Sequence, residues 1–202
     1  MSSLLLFFTS ITLVLLLIFP SSTAFAFVVD TDGHSLQNGR KYFIIPVTSK
    51  GGLTYTQKNG GCPLYITSNK TENSPGTPVK ISSPFRIPFI YPNLHISLTF
   101  NVPTPCGESV RWKRILDPSS QKAYITAGSD DDESVNVDTS FIITEEDESN
   151  QLHIYELKHW SFQDGYGYNV GLFKDDGLLG LTNNPTAVSF KKAFNFLELS
   201  TS

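Results

Sequence analysis

From residue 42 onward the apolar positions fall in short runs rich in β-branched and aromatic residues, separated by clusters of Gly, Pro, Asn and Ser. No segment sustains the 3.6-residue apolar period of a packed helix. The runs predict strands at Tyr42–Val47, Leu53–Gln57, Leu64–Thr67, Val79–Ser82, Ile96–Phe100 and Arg111–Leu116. They continue at Ala123–Ala127, Phe141–Glu145, Leu152–Leu157, Asn169–Phe173, Leu178–Leu181 and Val188–Lys191, so the class is all-β. Twelve strands suit either a sandwich or three sets of four, the division of a pseudo-threefold trefoil barrel. The thirds show no strong residue-level similarity, so the pattern alone leaves both architectures open.

The first 26 residues are different in kind. Residues 4–19, LLLFFTSITLVLLLIF, are uncharged and apolar, and Ala24-Phe25-Ala26 has the small-x-small form of a leader-peptidase site. We read residues 1–26 as a secretory signal peptide and 27–202 as one domain, a monomer released outside the cell or into a vacuole. A retained anchor is disfavoured because the run is short and Pro20 follows it. The leader carries no Lys, Arg, Asp or Glu, so the formal charge of -4 belongs to the mature domain. That mild acidity, with basic residues scattered as in Arg40-Lys41 and Lys191-Lys192, points away from nucleic acid, and no membrane contact is expected after cleavage.

The residue types of catalysis are present without a catalytic arrangement. Asp30, Asp32, Glu108 and Asp164 are available carboxylates, but nothing in the sequence sets two of them across a cleft. His34, His95, His153 and His159 lack metal-ligand spacing, and no serine occupies a G-x-S-x-G elbow. The acidic runs at 130–133 and 145–148 lack the alternating ligands and turn glycine of a calcium loop. Neither an enzyme nor a metal or other cofactor is expected.

Cys62 and Cys106 are the only cysteines, and an oxidising compartment predicts that they pair. Asn69-Lys70-Thr71 is a glycosylation sequon in a polar stretch. Between the cysteines lies SPFRIPFIYP, Ser83 to Pro92, where Arg86 stands among apolar neighbours with prolines at 84, 88 and 92. Proline fixes its own φ and biases the preceding residue toward extended geometry, so this stretch predicts a stiff, extended loop suited to presentation.

Several motifs resemble one family. Val28-Val29-Asp30-Thr31-Asp32-Gly33-His34-Ser35-Leu36, followed by Tyr42-Phe43-Ile44, resembles the N-terminal signature of the plant Kunitz-type (soybean trypsin) inhibitors. Gly61-Cys62-Pro63-Leu64, Tyr168-Asn169-Val170-Gly171 and Val188-Ser189-Phe190 resemble later segments of the same family. The resemblance implies a β-trefoil that inhibits serine proteases of the trypsin type without a cofactor. It implies a reactive loop of Ser83, Pro84, Phe85, Arg86, Ile87 and Pro88, with Arg86-Ile87 as the bond offered and Asn38 hydrogen-bonding the loop from behind. The chain departs from the family at two places. The second disulfide is missing, its positions falling near Leu157 and Gly167, which leaves that region to packing. Pro88 lacks the backbone N–H that an extended inhibitor normally donates to the protease. A rival reading keeps the barrel but makes it a storage, defence or sugar-binding protein, with Trp112, Trp160, Tyr166 and Tyr168 as a stacking surface.

Overall fold

The computed structural model describes residues 27–58, 60–128, 139–146 and 153–193. Buried and partly exposed positions alternate along several of the strands. β1 (Lys41–Pro46) buries Tyr42, Ile44 and Pro46 and turns Phe43 and Ile45 partly outward. β2 (Leu53–Gln57), β3 (Leu64–Ser68) and β4 (Val79–Ser82) complete the first third. β5 (Ser97–Phe100), β6 (Val110–Asp117), β7 (Lys122–Gly128) and β8 (Phe141–Glu145) form the second, and β9 (Tyr155–Ser161), β10 (Tyr166–Leu172), β11 (Leu179–Leu181) and β12 (Ala187–Lys192) the third.

The pairings decide between sandwich and barrel. β1 pairs with β4, β4 with β5, β8 with β9, β9 with β12, and β12 returns to β1. The Ile96–Phe141 bridge joins the β5 and β8 segments, so six strands close on themselves. The hairpins β2–β3, β6–β7 and β10–β11 form a second layer, linked by β3–β7, β7–β11 and the Thr67–Leu178 bridge. Each third therefore contributes two barrel strands and one capping hairpin, which is the β-trefoil. Closure removes the exposed sheet edges that an open sandwich would leave.

The interior is filled by Tyr42, Phe100, Trp112, Phe141 and Phe190 among aliphatic side chains from all three thirds. Trp112 meets Phe100 and Phe141 edge-on at centroid distances of 5.3 and 6.3 Å. Most strand ends lie within a single residue of the sequence-based expectation, and two strands shift further. β9 runs to Ser161 rather than ending at Leu157, because His159 and Ser161 continue the inward alternation as buried polar residues. β10 begins at Tyr166, three residues before the expected start, where Tyr166 pairs with Ser161 of β9.

The segment before β1 positions the candidate site. Val28 and Leu36 are fully buried, which anchors the ends of a short turn over the barrel. Val28 N donates to Ile90 O at 3.0 Å, Ile90 N donates to Leu36 O at 2.9 Å, and Gln37 bridges Phe89. The β4–β5 connection is thereby strapped to the N-terminal segment immediately beyond SPFRIP. Two buried phenols hold that segment in turn: Tyr155 accepts from Val29 N at 2.9 Å and Tyr42 from Gln37 N at 2.8 Å. Burial pushes both phenols above their ordinary pKa, so they remain neutral partners.

Candidate functional site: an exposed loop held by one asparagine

The Leu36-Gln37-Asn38-Gly39 stretch turns sharply because Gly39 adopts φ of +80°, a conformation open to glycine. Gly39 N donates to Ile81 O at 2.8 Å, which sets Asn38 behind the loop that follows β4. From there Asn38 bonds to both flanks of the Arg86–Ile87 peptide. Its Nδ2 donates to the carbonyls of Phe85 and Ile87, each at 3.1 Å. Its Oδ1 accepts from Ser83 N at 2.8 Å, and its own backbone N donates to Pro88 O at 2.9 Å.

This clamp changes the expected shape of the loop. A strand rising about 3.3 Å per residue would space the carbonyls of Phe85 and Ile87 too widely for one nitrogen to meet both. The chain shortens instead by a turn centred on Arg86, in which Ile87 N donates to Phe85 O at 2.9 Å. Arg86 is absent from the positive-φ residues, so the turn is of the inverse γ type. The loop is thus a bent arch rather than a simple extended strand. Phe85 N adds a bond to Ser83 Oγ at 3.3 Å, and Pro84 stiffens the entry.

Pro84, Phe85, Arg86 and Pro88 are exposed, and Ile87 is half-buried. Phe85 keeps 54% of its surface in water, an unusual position for a large apolar side chain unless a partner covers it. Cys62 and Cys106 are disulfide-bonded, with a Cα–Cα distance of 5.8 Å. The bond joins the β2–β3 turn to the β5–β6 connection and encloses the arch within a separation of 44 residues.

Other residues singled out from the sequence are placed elsewhere. Trp112 is fully buried in the core, so it contributes to no stacking surface. Trp160 packs on His95 at 5.1 Å and lies against Gly167, while Tyr166 and Tyr168 contact each other at 4.4 Å. Asn69 follows β3 half-buried; its Nδ2 donates to Ser74 Oγ at 2.8 Å and its Oδ1 accepts from Thr71 N at 2.9 Å.

Asp30, Asp32 and His34 come together, which their spacing did not signal. The buried Asp30 Oδ1 accepts from the amides of Asp32 and His34 at 3.0 and 2.9 Å, so it closes the N-terminal turn. The first acidic run lies outside the described residues, as do Asp147 and Glu148 of the second and the tail from residue 194.

Comparison with known proteins agrees with this architecture. Trypsin inhibitor 1B of Erythrina variegata is 29% identical over 177 residues, covering 82% of this chain and 97% of that protein. The structure of MP-4 from Mucuna pruriens superposes with a TM-score of 0.72 at 26% identity, covering 83% of this chain and 98% of the other. A soybean trypsin inhibitor solved in complex with porcine pancreatic trypsin has the same fold, with a TM-score of 0.69 at 24% identity and coverage of 84% and 100%. The sequence model of the legume Kunitz family, described as trypsin and protease inhibitor, matches residues 28–192, and the chain belongs to that family.

Proposed function

We propose that the chain is a secreted, monomeric inhibitor of trypsin-like serine proteases, and that it offers the Arg86–Ile87 bond as a substrate would. The observation that carries this reading is the pair of bonds from one Asn38 nitrogen to the carbonyls on either side of that bond. Relatives named trypsin inhibitors align over nearly their whole length, which supports the same partner class.

The chemistry follows from the arch. A trypsin-like protease has a deep pocket with a carboxylate at its base, where the Arg86 guanidinium forms a charge-assisted pair away from water. Seating Arg86 brings its carbonyl to the nucleophile and the oxyanion-binding amides. Cleavage normally ends with departure of the new amine. Here Ile87 and Pro88 stay bonded to Asn38, and Asn38 also holds Phe85 on the acyl side. The severed ends remain adjacent, so religation competes with hydrolysis. Because the resting arch is already ordered, binding loses little further conformational entropy.

Titration of trypsin with the purified mature protein tests the reading. Wild type is expected to inhibit stoichiometrically, and Arg86→Ala to lose about 4 kcal/mol, roughly a thousandfold in affinity. Equal potency of the two proteins, or a wild-type protein that inhibits neither trypsin nor any other arginine-specific serine protease, would reject it. Amino-terminal sequencing of the secreted product tests the leader, with Phe27 expected as the first residue.

A further inference from the structure

The hydrogen bonds of the arch are distributed unequally about the Arg86–Ile87 bond. On the acyl side, the Pro84 carbonyl, the Arg86 N–H and the Arg86 carbonyl have no intramolecular partner among the described residues. At the two residues just beyond the bond, every backbone group is used or missing. Ile87 N donates to Phe85 O, Ile87 O accepts from Asn38 Nδ2, and Pro88 O accepts from Asn38 N. Pro88 has no N–H. Phe89 faces Gln37 across a bridge whose hydrogen bonds are made by Pro88 and Ile90, so the Phe89 backbone groups have no partner among the described residues, and Ile90 turns inward again through its bonds to Val28 and Leu36.

What the leaving side presents outward is apolar. Residues 87–92, IPFIYP, carry no charge. Pro88 is exposed and Ile87, Phe89 and Tyr91 are half-buried. Phe27 lies beneath the last two, with ring centroids 5.2 Å from Phe89 and 4.8 Å from Tyr91. This apolar face is continuous with the arch and would be covered by the same protease.

We infer that recognition is divided at the Arg86–Ile87 bond: free backbone groups of Pro84 and Arg86 pair with the protease on the acyl side, whereas Ile87 and Pro88 meet it by apolar packing without backbone pairing. The inference rests on the proposed inhibitor reading and names the partner more narrowly. The partner is an arginine-specific serine protease with an apolar leaving-side surface that accepts proline two residues beyond the cleaved bond. A protease whose carbonyl requires a donor there is left with an unpaired group at a dry interface, so Pro88 selects against it.

The test uses pancreatic trypsin and a panel of other arginine-specific serine proteases. Each is first ranked by its relative kcat/KM on quenched peptides Ser-Pro-Phe-Arg-Ile-Pro and Ser-Pro-Phe-Arg-Ile-Ala. Inhibition constants of the wild-type protein are expected to follow that ranking, tightest for the enzymes most tolerant of proline. Pro88→Ala restores the donor and should tighten inhibition about tenfold on proline-averse enzymes, with little change on tolerant ones. An unchanged or weakened constant on proline-averse enzymes would overturn the inference, as would a wild-type ranking unrelated to proline tolerance.

Amide exchange checks the premise without a protease. The Arg86 amide should exchange fast and the Ile87 amide slowly in both proteins, and equal rates would remove the asymmetry. Arg86→Ala separates the two claims. Loss of inhibition across the panel in that variant keeps the inhibitor reading even if the Pro88 ranking fails, whereas a wild-type protein that inhibits no member overturns both.

Discussion

The arch at residues 83–88 and the β8–β10 sheet reach order by opposite means. The arch buries almost nothing; its shape comes from one asparagine that bonds to Ser83, Phe85, Ile87 and Pro88, within a loop closed by the Cys62–Cys106 bond. The β8–β10 sheet contains no cysteine. It is held by packing: Phe141, Ile143, Tyr155 and Leu157 are buried, and Gly167 leaves room for Trp160 and Ile142 to approach within 3.5 Å of where a Cβ would be. Apolar area can hold a sheet because both layers can be hidden. A segment that must stay exposed for a partner cannot use that means, so its order has to come from directional bonds and covalent closure.

Breaking each kind of support should give different signatures. Replacing both cysteines by serine releases a loop of 44 residues and should cost about 4 kcal/mol in the chain-entropy account, measured by denaturant unfolding. Trypsin inhibition should weaken less than stability, because the Asn38 bonds remain. Leu157→Ala, in the disulfide-free sheet, should cost about 3 kcal/mol through lost burial and a cavity, lowering Tm by roughly 6–12 °C. Its inhibition constant should stay at the wild-type value below the transition, since no bond of the arch passes through Leu157. A parallel loss of inhibition in the still-folded variant would show that the two regions are coupled.

The smallest expected effect sits on an exposed turn away from both regions. Asp117 accepts from Ser119 Oγ and Ser119 N at 2.7 and 2.9 Å and from Lys58 Nζ at 3.2 Å. The Ser119 bonds, ahead of Lys58, hold its carboxyl well below the ordinary value of 3.8. A depressed folded pKa means that the contribution is complete above the unfolded value and is lost as pH falls toward the folded one. Tm should therefore drop slightly more for wild type than for Asp117→Asn between about pH 5 and pH 2. Because the pair lies at the surface, where salt screens it, identical acid profiles to within error would show that the turn contributes nothing measurable.

Much of the barrel was legible in the chain because strands declare themselves locally. Eleven of the twelve segments carry β-branched or aromatic residues, β11 (LGL) being the exception, and the end of β9 moved where polar residues face inward, at His159 and Ser161. The choice between sandwich and trefoil was not legible from pattern, since it depends on pairs far apart in sequence such as Ile96–Phe141 and Thr67–Leu178. The arch was partly legible. Three prolines announce a stiff segment, but the turn at Arg86 comes from partners 45 to 49 residues away, which periodicity cannot see. Trp112 shows the same limit from the other side, because residue type alone does not distinguish a stacking platform from a core filler.

The central claim is that Asn38 makes the loop an inhibitor rather than a substrate, and its most direct measurement is the rate at which trypsin cuts the Arg86–Ile87 bond. Wild type and Asn38→Ala, each folded and incubated with catalytic trypsin, are followed by mass spectrometry of the intact and severed chains. Wild type should be cut slowly and settle as a mixture of both forms, while Asn38→Ala should be cut quickly and completely at the same bond. Equal cleavage rates in the two proteins, or cleavage of wild type at another site first, would contradict the account.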